Sequence, residues 1–294
     1  MHILSQNSIY EFSADSPAIA ECYPGEECIF ETLDCFGGQI KSEQDDLSHL
    51  DLTRTNPATG PVVVKGTRKG QLLRVAILDI ACSSPGIIST HPGIGILRST
   101  FRRYFFQMVP IKAGFCHVDG ISLPIDPMIG VIGVAPEKGS ISTRAPGRHG
   151  GNLDTREIHP GNILYLPIYQ DGALFALGDV HALMGDGEIC GAGVEVAARV
   201  LVRLDVIENR FGLNTPLVEA PERFFFLYSA PSLEDAFQEG AKECLEFLQK
   251  VTGWKAEKLY FLMSVSSHFR VSQLVDPLFT VKIEIPKGVF PVRL

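Results

Sequence analysis

Polar and apolar residues trade places along this chain mostly with the short period of β-strands. In Glu26-Glu27-Cys28-Ile29-Phe30-Glu31-Thr32-Leu33-Asp34, acids are interleaved with β-branched and aromatic residues, the pattern of one half-buried strand. Val62-Val63-Val64 and the longer run Leu72 to Ile80 are separated by residues 65–71, which carry Gly66 and Gly70. That predicts two strands joined by a short loop. Asn162 to Tyr169 and Ala173 to His181, with Gln170-Asp171-Gly172 between them, predict a hairpin with Asp-Gly at its bend. Past Pro231 the period changes: Phe237, Ala241, Cys244, Leu245 and Leu248 recur at helical spacing. Ser232 stands ready as N-cap, with Glu234 and Asp235 in the first turn. A second helix is expected over Lys255–Val265, and the alternation from Leu278 to Lys287 predicts a closing strand. The expected division is therefore a β-rich region over 1–210 and a smaller α+β region over 211–294.

Composition supports that reading. The chain has 28 glycines and 19 prolines, more than long helices tolerate and what many turns between short strands need. The fold class is expected to be mainly β. A net charge of −8, with lysines and arginines scattered, argues against nucleic acid as a partner. No stretch approaches the ~18 apolar residues of a membrane span, and Met1-His2-Ile3-Leu4-Ser5 lacks the pattern of a signal peptide. A cytoplasmic protein with no membrane partner is the expectation. The seven cysteines are odd in number and lack C-x-x-C spacing, so they read as reduced, mostly buried thiols.

The chemistry concentrates in Gly178-Asp179-Val180-His181-Ala182-Leu183-Met184-Gly185-Asp186-Gly187-Glu188. Alternation along a strand puts Asp179 and His181 on one face, a carboxylate beside an imidazole, which suits a divalent cation or a hydrogen-bonded base. If Asp186-Gly187 were a tight turn, Glu188 would lie roughly 13 Å from His181, too far to share an ion. A loop folding back through Gly185-Asp186-Gly187 is favoured, with Glu188 as general base. A second cluster, Gly147-Arg148-His149-Gly150-Gly151-Asn152-Leu153-Asp154-Thr155, offers Asp154 to complete a metal site. A third, Ser89-Thr90-His91-Pro92-Gly93, holds a lone histidine. Each of these two reads equally as a glycine turn with solvated polar residues. Nothing matches a serine nucleophile elbow, a phosphate loop or a dinucleotide fingerprint.

Asn56-Pro57-Ala58-Thr59-Gly60-Pro61-Val62-Val63-Val64-Lys65-Gly66, Gly130-Val131-Ile132-Gly133-Val134-Ala135-Pro136, Gly150-Gly151-Asn152-Leu153-Asp154-Thr155, and Gly172-Ala173-Leu174-Phe175 through Gly178-Asp179-Val180-His181 to Gly185-Asp186-Gly187-Glu188-Ile189-Cys190-Gly191 resemble the acetamidase/formamidase family. The resemblance runs over about residues 56–191. It implies a β-sandwich core with an α+β C-terminal portion, and hydrolysis of small linear amides to ammonia and a carboxylate. Cyclic amides are the alternative substrates, and a non-catalytic metal-containing sandwich is the alternative role. It further implies a divalent metal, zinc foremost and calcium next, held by Asp154, Asp179 and His181, with His91 as a further ligand. Glu188 is the expected acid/base. His149 is expected to be catalytic, steadying the tetrahedral intermediate beside the Gly150-Gly151 backbone. A homodimer is the expected assembly.

Overall fold

Strands that are apolar on both sides need cover on both sides, and this chain has several. Met128–Gly133 and Phe175–His181 are buried at every position. In a computed structural model, which describes residues 1–45 and 49–294, two nine-stranded sheets supply that cover. The first runs His2–Ile3, Glu26–Thr32, Ala198–Ile207, Leu72–Cys82, Ile163–Pro167, Leu217–Glu219, Arg223–Ala230, Phe279–Pro286, His268–Gln273. The second runs Gly150–Asn152, Met128–Gly133, Phe175–His181, Glu195–Val196, Gly86–Thr90, Phe105–Val109. On the second, Ala58–Val64 pairs with Phe175–His181 and carries Ser8–Ile9 and Ala20–Cys22.

The sheets pack face to face as a β-sandwich. Phe30, Val75, Leu164 and Val202 of the first meet Val62, Ile129, Phe175 and Val180 of the second in one core. The rings of Phe30 and Phe175 touch edge to face across it, with centroids 5.6 Å apart. Each such buried side chain contributes roughly 1.5–3 kcal/mol of transfer free energy. The outer face of the first sheet is covered by helices α1 (Leu233–Thr252) and α2 (Ala256–Ser266). Cys244, Phe247, Leu248, Leu259 and Met263 pack there on Phe224, Phe226, Ile283 and Ile285. Ser232 caps α1 as its sequence suggests, its Oγ accepting from the Asp235 N–H at 3.0 Å.

The expected hairpin over Asn162 to His181 is instead a passage from one sheet to the other, as is the loop that joins the two strands expected between Val62 and Ile80. Ala58–Val64 lies in the second sheet and Leu72–Cys82 in the first, while Ile163–Pro167 lies in the first and Phe175–His181 in the second. The connecting loops brace each other: the Lys69 N–H donates to Asp171 Oδ1 at 2.9 Å and the Gly70 N–H to the Ile168 carbonyl at 2.8 Å. Ala173 and Leu174 take positive φ (62° and 55°), swinging the chain across instead of back along its own sheet. Residues 211–294 add Leu217–Glu219, Arg223–Ala230, His268–Gln273 and Phe279–Pro286 to the first sheet, so its ladder continues past the boundary expected at 210. Among the described residues no helix is long and apolar enough to cross a membrane.

Candidate active site

The site forms where the end of the Phe175–His181 strand passes over Gly130. A Cβ on Gly130 would overlap Asp154 Oδ1 and lie 2.8 Å from the Asp179 carbonyl and 2.9 Å from Asp179 Oδ2. Only glycine leaves room for both carboxylates. The Gly130 carbonyl also accepts from the N–H groups of Leu153 and Asp154, at 2.9 and 3.3 Å, and so fixes the turn that presents Asp154. Asp179 has φ 54° and Asp154 φ 38°, so both are turned out of regular strand geometry. Asn56 (φ 52°) donates to Asp179 Oδ2 at 2.9 Å, and Glu188 also has positive φ, 46°. Four of the eight positive-φ non-glycine residues among those described therefore surround one spot. At about 1–3 kcal/mol each, such conformations persist only where surrounding structure enforces them.

His181 stands at the centre of this group. Its Nε2 lies 3.2 Å from Glu195 Oε2, 3.7 Å from Asp154 Oδ1 and 3.8 Å from Asp179 Oδ1. Glu195 arrives by pairing directly with His181, and its other oxygen accepts from the Gly193 N–H at 2.8 Å. The loop after His181 folds back: the Gly187 N–H donates to the Ser272 carbonyl at 2.7 Å, and the Glu188 N–H to Gly185 at 3.2 Å. Asp154, His181 and Glu188 consequently offer ligand atoms within 4.8 Å of one another, as do Cys35, Asp179 and Glu195. Asp276 comes from the segment after His268–Gln273 and accepts from Asn152 Nδ2 at 3.1 Å.

All these carboxylates but that of the half-buried Asp276 are at most 7% exposed. Burial pushes Asp154 up to about 7, with His181 pulling against the shift. Burial likewise raises Glu188 and Asp276 well above the usual carboxylate range, and lifts Glu195. For His181 burial opposes the charged form, but Glu195 and Asp179 outweigh it and hold the imidazolium well above its ordinary range. Asp154 Oδ1, Asp179 Oδ1, Glu195 Oε2 and Asp276 Oδ2 are buried with no hydrogen-bond partner. A cleft of about 190 Å³ opens onto this centre, lined by Asp179, Glu188, Glu195 and Asp276 and walled by Phe36, Leu52, His91, Ile94 and Tyr104.

The Acetamidase/Formamidase family model matches residues 5–142 and 137–292. The chain belongs to that family. An acetamidase from Bacillus halodurans is 39% identical, with TM-score 0.95 and 99% of each chain covered. A predicted acetamidase/formamidase from Thermoanaerobacter tengcongensis is 38% identical with TM-score 0.97, over 100% of this chain and 98% of that one. A formamidase of Methylophilus methylotrophus is 25% identical over 94% of this chain and 88% of its own length. The chain spans 65% of the length of a 28% identical relative from Schizosaccharomyces pombe. These relatives and structural neighbours are thus formamidases and acetamidases by name.

Of the residues expected at a family site, Asp154, Asp179, His181 and Glu188 are brought together. His91 lies on the cleft wall, its Nε2 3.0 Å from Ser89 Oγ, and burial lowers its pKa. His149 does not line the cleft. Its ring is packed edge-on against Phe12, centroids 5.2 Å apart, and burial lowers its pKa to about 4. The Gly150 N–H is taken by the Gly147 carbonyl, and Gly150 and Gly151 pair with Gly133 and Ile132, so these glycines serve the sheet. Glu195, Asp276, Cys35 and Asn56 were not anticipated as site residues. Glu195 did carry a signal, a lone acid inside the apolar run Val194-Glu195-Val196-Ala197-Ala198. Asp276, in a proline-flanked loop, carried none.

Proposed function

We propose that this chain hydrolyses short linear amides such as formamide and acetamide, with a divalent cation held by Asp154, Asp179, His181 and Glu195. The supporting observation is a coincidence of two facts. The three oxygens ringing His181 Nε2 at 3.2–3.8 Å are three of the four buried carboxylate oxygens that lack a hydrogen-bond partner. Such spacing is too long for good hydrogen bonds at its upper end, yet it matches neighbouring ligands that each reach an ion at roughly 2.0–2.2 Å. Three buried carboxylates around a single imidazole are costly to keep charged, and a divalent cation removes that cost. The nitrogen and oxygen donors suit zinc, with calcium second.

Asp154, Asp179, His181 and Glu195 would hold such a cation, which when bound would supply Lewis acidity toward water and the amide carbonyl. Glu188, on the cleft side of the group, takes the proton of the attacking water and delivers it to the leaving nitrogen. Its burial raises the carboxyl's affinity for a proton. Asn56 and Asn152 hold Asp179 and Asp276 in place. His91, neutral on the wall, borders the space for the acyl group. The assembly we favour is a homodimer in the cytoplasm; exposed Ile96, Leu97 and Phe101, in the segment between the cleft-lining Ile94 and Tyr104, support the dimer.

Ammonia release from formamide, acetamide and a γ-lactam by the purified protein, alongside elemental analysis, tests the reading. Linear amides are turned over, the lactam poorly, and Glu188→Gln lowers kcat about a hundredfold or more. Undiminished turnover by metal-stripped, folded protein would overturn the cation's role.

A further inference from the structure

A fully buried lysine sits behind the candidate active site. Lys282 lies mid-strand in Phe279–Pro286 and is 0% exposed. Its neighbours Ile283 and Ile285 join the apolar layer under the helices, so Lys282 points the opposite way. There its ammonium reaches both oxygens of Glu157, at 2.8 and 2.7 Å, and Asp186 Oδ1 at 2.7 Å. The second oxygen of Asp186 accepts from Arg270 at 3.1 Å, and Arg270 in turn pairs with Glu284, which also holds Arg223. One ionic chain thus ties two loops to the last two strands of the first sheet.

Those two loops carry the reacting groups. Asp186 stands two residues before Glu188, and Glu157 three residues after Asp154. Ser272 repeats the tie without charge: its carbonyl takes the Gly187 N–H at 2.7 Å and its hydroxyl meets Thr155 at 2.9 Å. For fold stability alone, an apolar side chain of similar volume serves a buried position as well as an ion cluster, or better. What an ammonium with two carboxylate partners adds is a fixed distance between them, through donors that are all engaged.

We infer that Lys282 is a positioning residue for the amide-hydrolysing centre: through Asp186 and Glu157 it sets Glu188 and Asp154 at their working separation. This rests on the amidase reading above, and misplacement of a reacting group by about 1 Å costs on the order of a hundredfold in rate.

The deciding variant is Asp186→Asn, which keeps the side chain's size and leaves Lys282 paired with Glu157. On formamide its kcat falls about tenfold to a hundredfold while KM stays within about threefold, because the substrate's contacts are untouched. By mass-spectrometric hydrogen exchange, the amides of residues 185–191 exchange faster than in wild type, whereas those of α1 do not. Adding Lys282→Met to Asp186→Asn lowers kcat less than its effect in the wild-type background, as expected for two members of one unit. Wild-type exchange across 185–191 in folded Asp186→Asn protein overturns the inference, as does faster exchange with kcat intact. If the wild-type protein turns over no amide at all, the amidase reading fails, and the exchange comparison still decides whether Lys282 pins the loop.

Discussion

Gly130 shows how one missing methyl shapes a site. Its Cα faces two carboxylates that a Cβ would push apart. Gly130→Ala is expected to cost about 1–3 kcal/mol in stability through overpacking, and to abolish bound metal together with activity. Elemental analysis of the folded variant checks this, and a variant retaining full metal content contradicts it. His149 offers a pH experiment free of the acids. Burial holds its pKa near 4 against an ordinary 6.5, so the unfolded chain takes up the proton first as pH falls. The neutral ring's contribution is therefore whole above about pH 6.5 and is lost progressively down to about pH 4, on the order of 3 kcal/mol. Denaturant titrations between pH 7 and 4 should show a shallower loss for His149→Gln than for wild type. Equal slopes would mean that the imidazole titrates normally in the fold.

At the scale of elements, local signals were legible and pairings were not. The Ser232 cap, the 3.6-residue period after it and the closing strand all rest on neighbours in sequence, and all lie within a residue or two of where they were expected. Ser232→Ala is expected to cost about 1 kcal/mol, visible as a lowered thermal midpoint with catalysis unchanged, since α1 lies on the far face of the first sheet. The expected hairpin over Asn162 to His181 failed because a glycine-bearing loop between two apolar runs reads the same whether the chain turns back or crosses over. Only the partner strands decide, and they lie far off in sequence: Leu72–Cys82 pairs with Ala198–Ile207 and Ile163–Pro167. The same limit explains the site. Asp179 and His181 share a strand, and the glycines before Glu188 announced a reversal. Glu195 and Asp276 come to the centre by pairing and by loop geometry, the latter set by Gln273, whose side-chain oxygen accepts from the N–H groups of Val275 and Asp276. In the loop of residues 147–155, composition flagged both His149 and Asp154, but backbone direction sent one toward Phe12 and the other toward His181.

For the whole molecule, the balance of charge at the centre predicts how stability responds to cations. Without a cation, several buried carboxyls must keep protons or repel one another. Zinc added to stripped protein at about a hundred times its Kd should raise stability by about 2.7 kcal/mol, with a matching rise in thermal midpoint, if the unfolded chain does not bind it. A midpoint indifferent to zinc and calcium would speak against any resident ion. The centre also draws on stretches far apart in the chain: Asn152 meets Asp276, and Glu157 and Asp186 meet Lys282. During synthesis, then, the acids proposed to act emerge before the strand whose Lys282 braces their loops. If Lys282 positions the centre as proposed, a nascent chain still lacking Phe279–Pro286 would carry every proposed ligand and the proposed base without the brace that spaces them, and full hydrolysis would await the docking of the last strand.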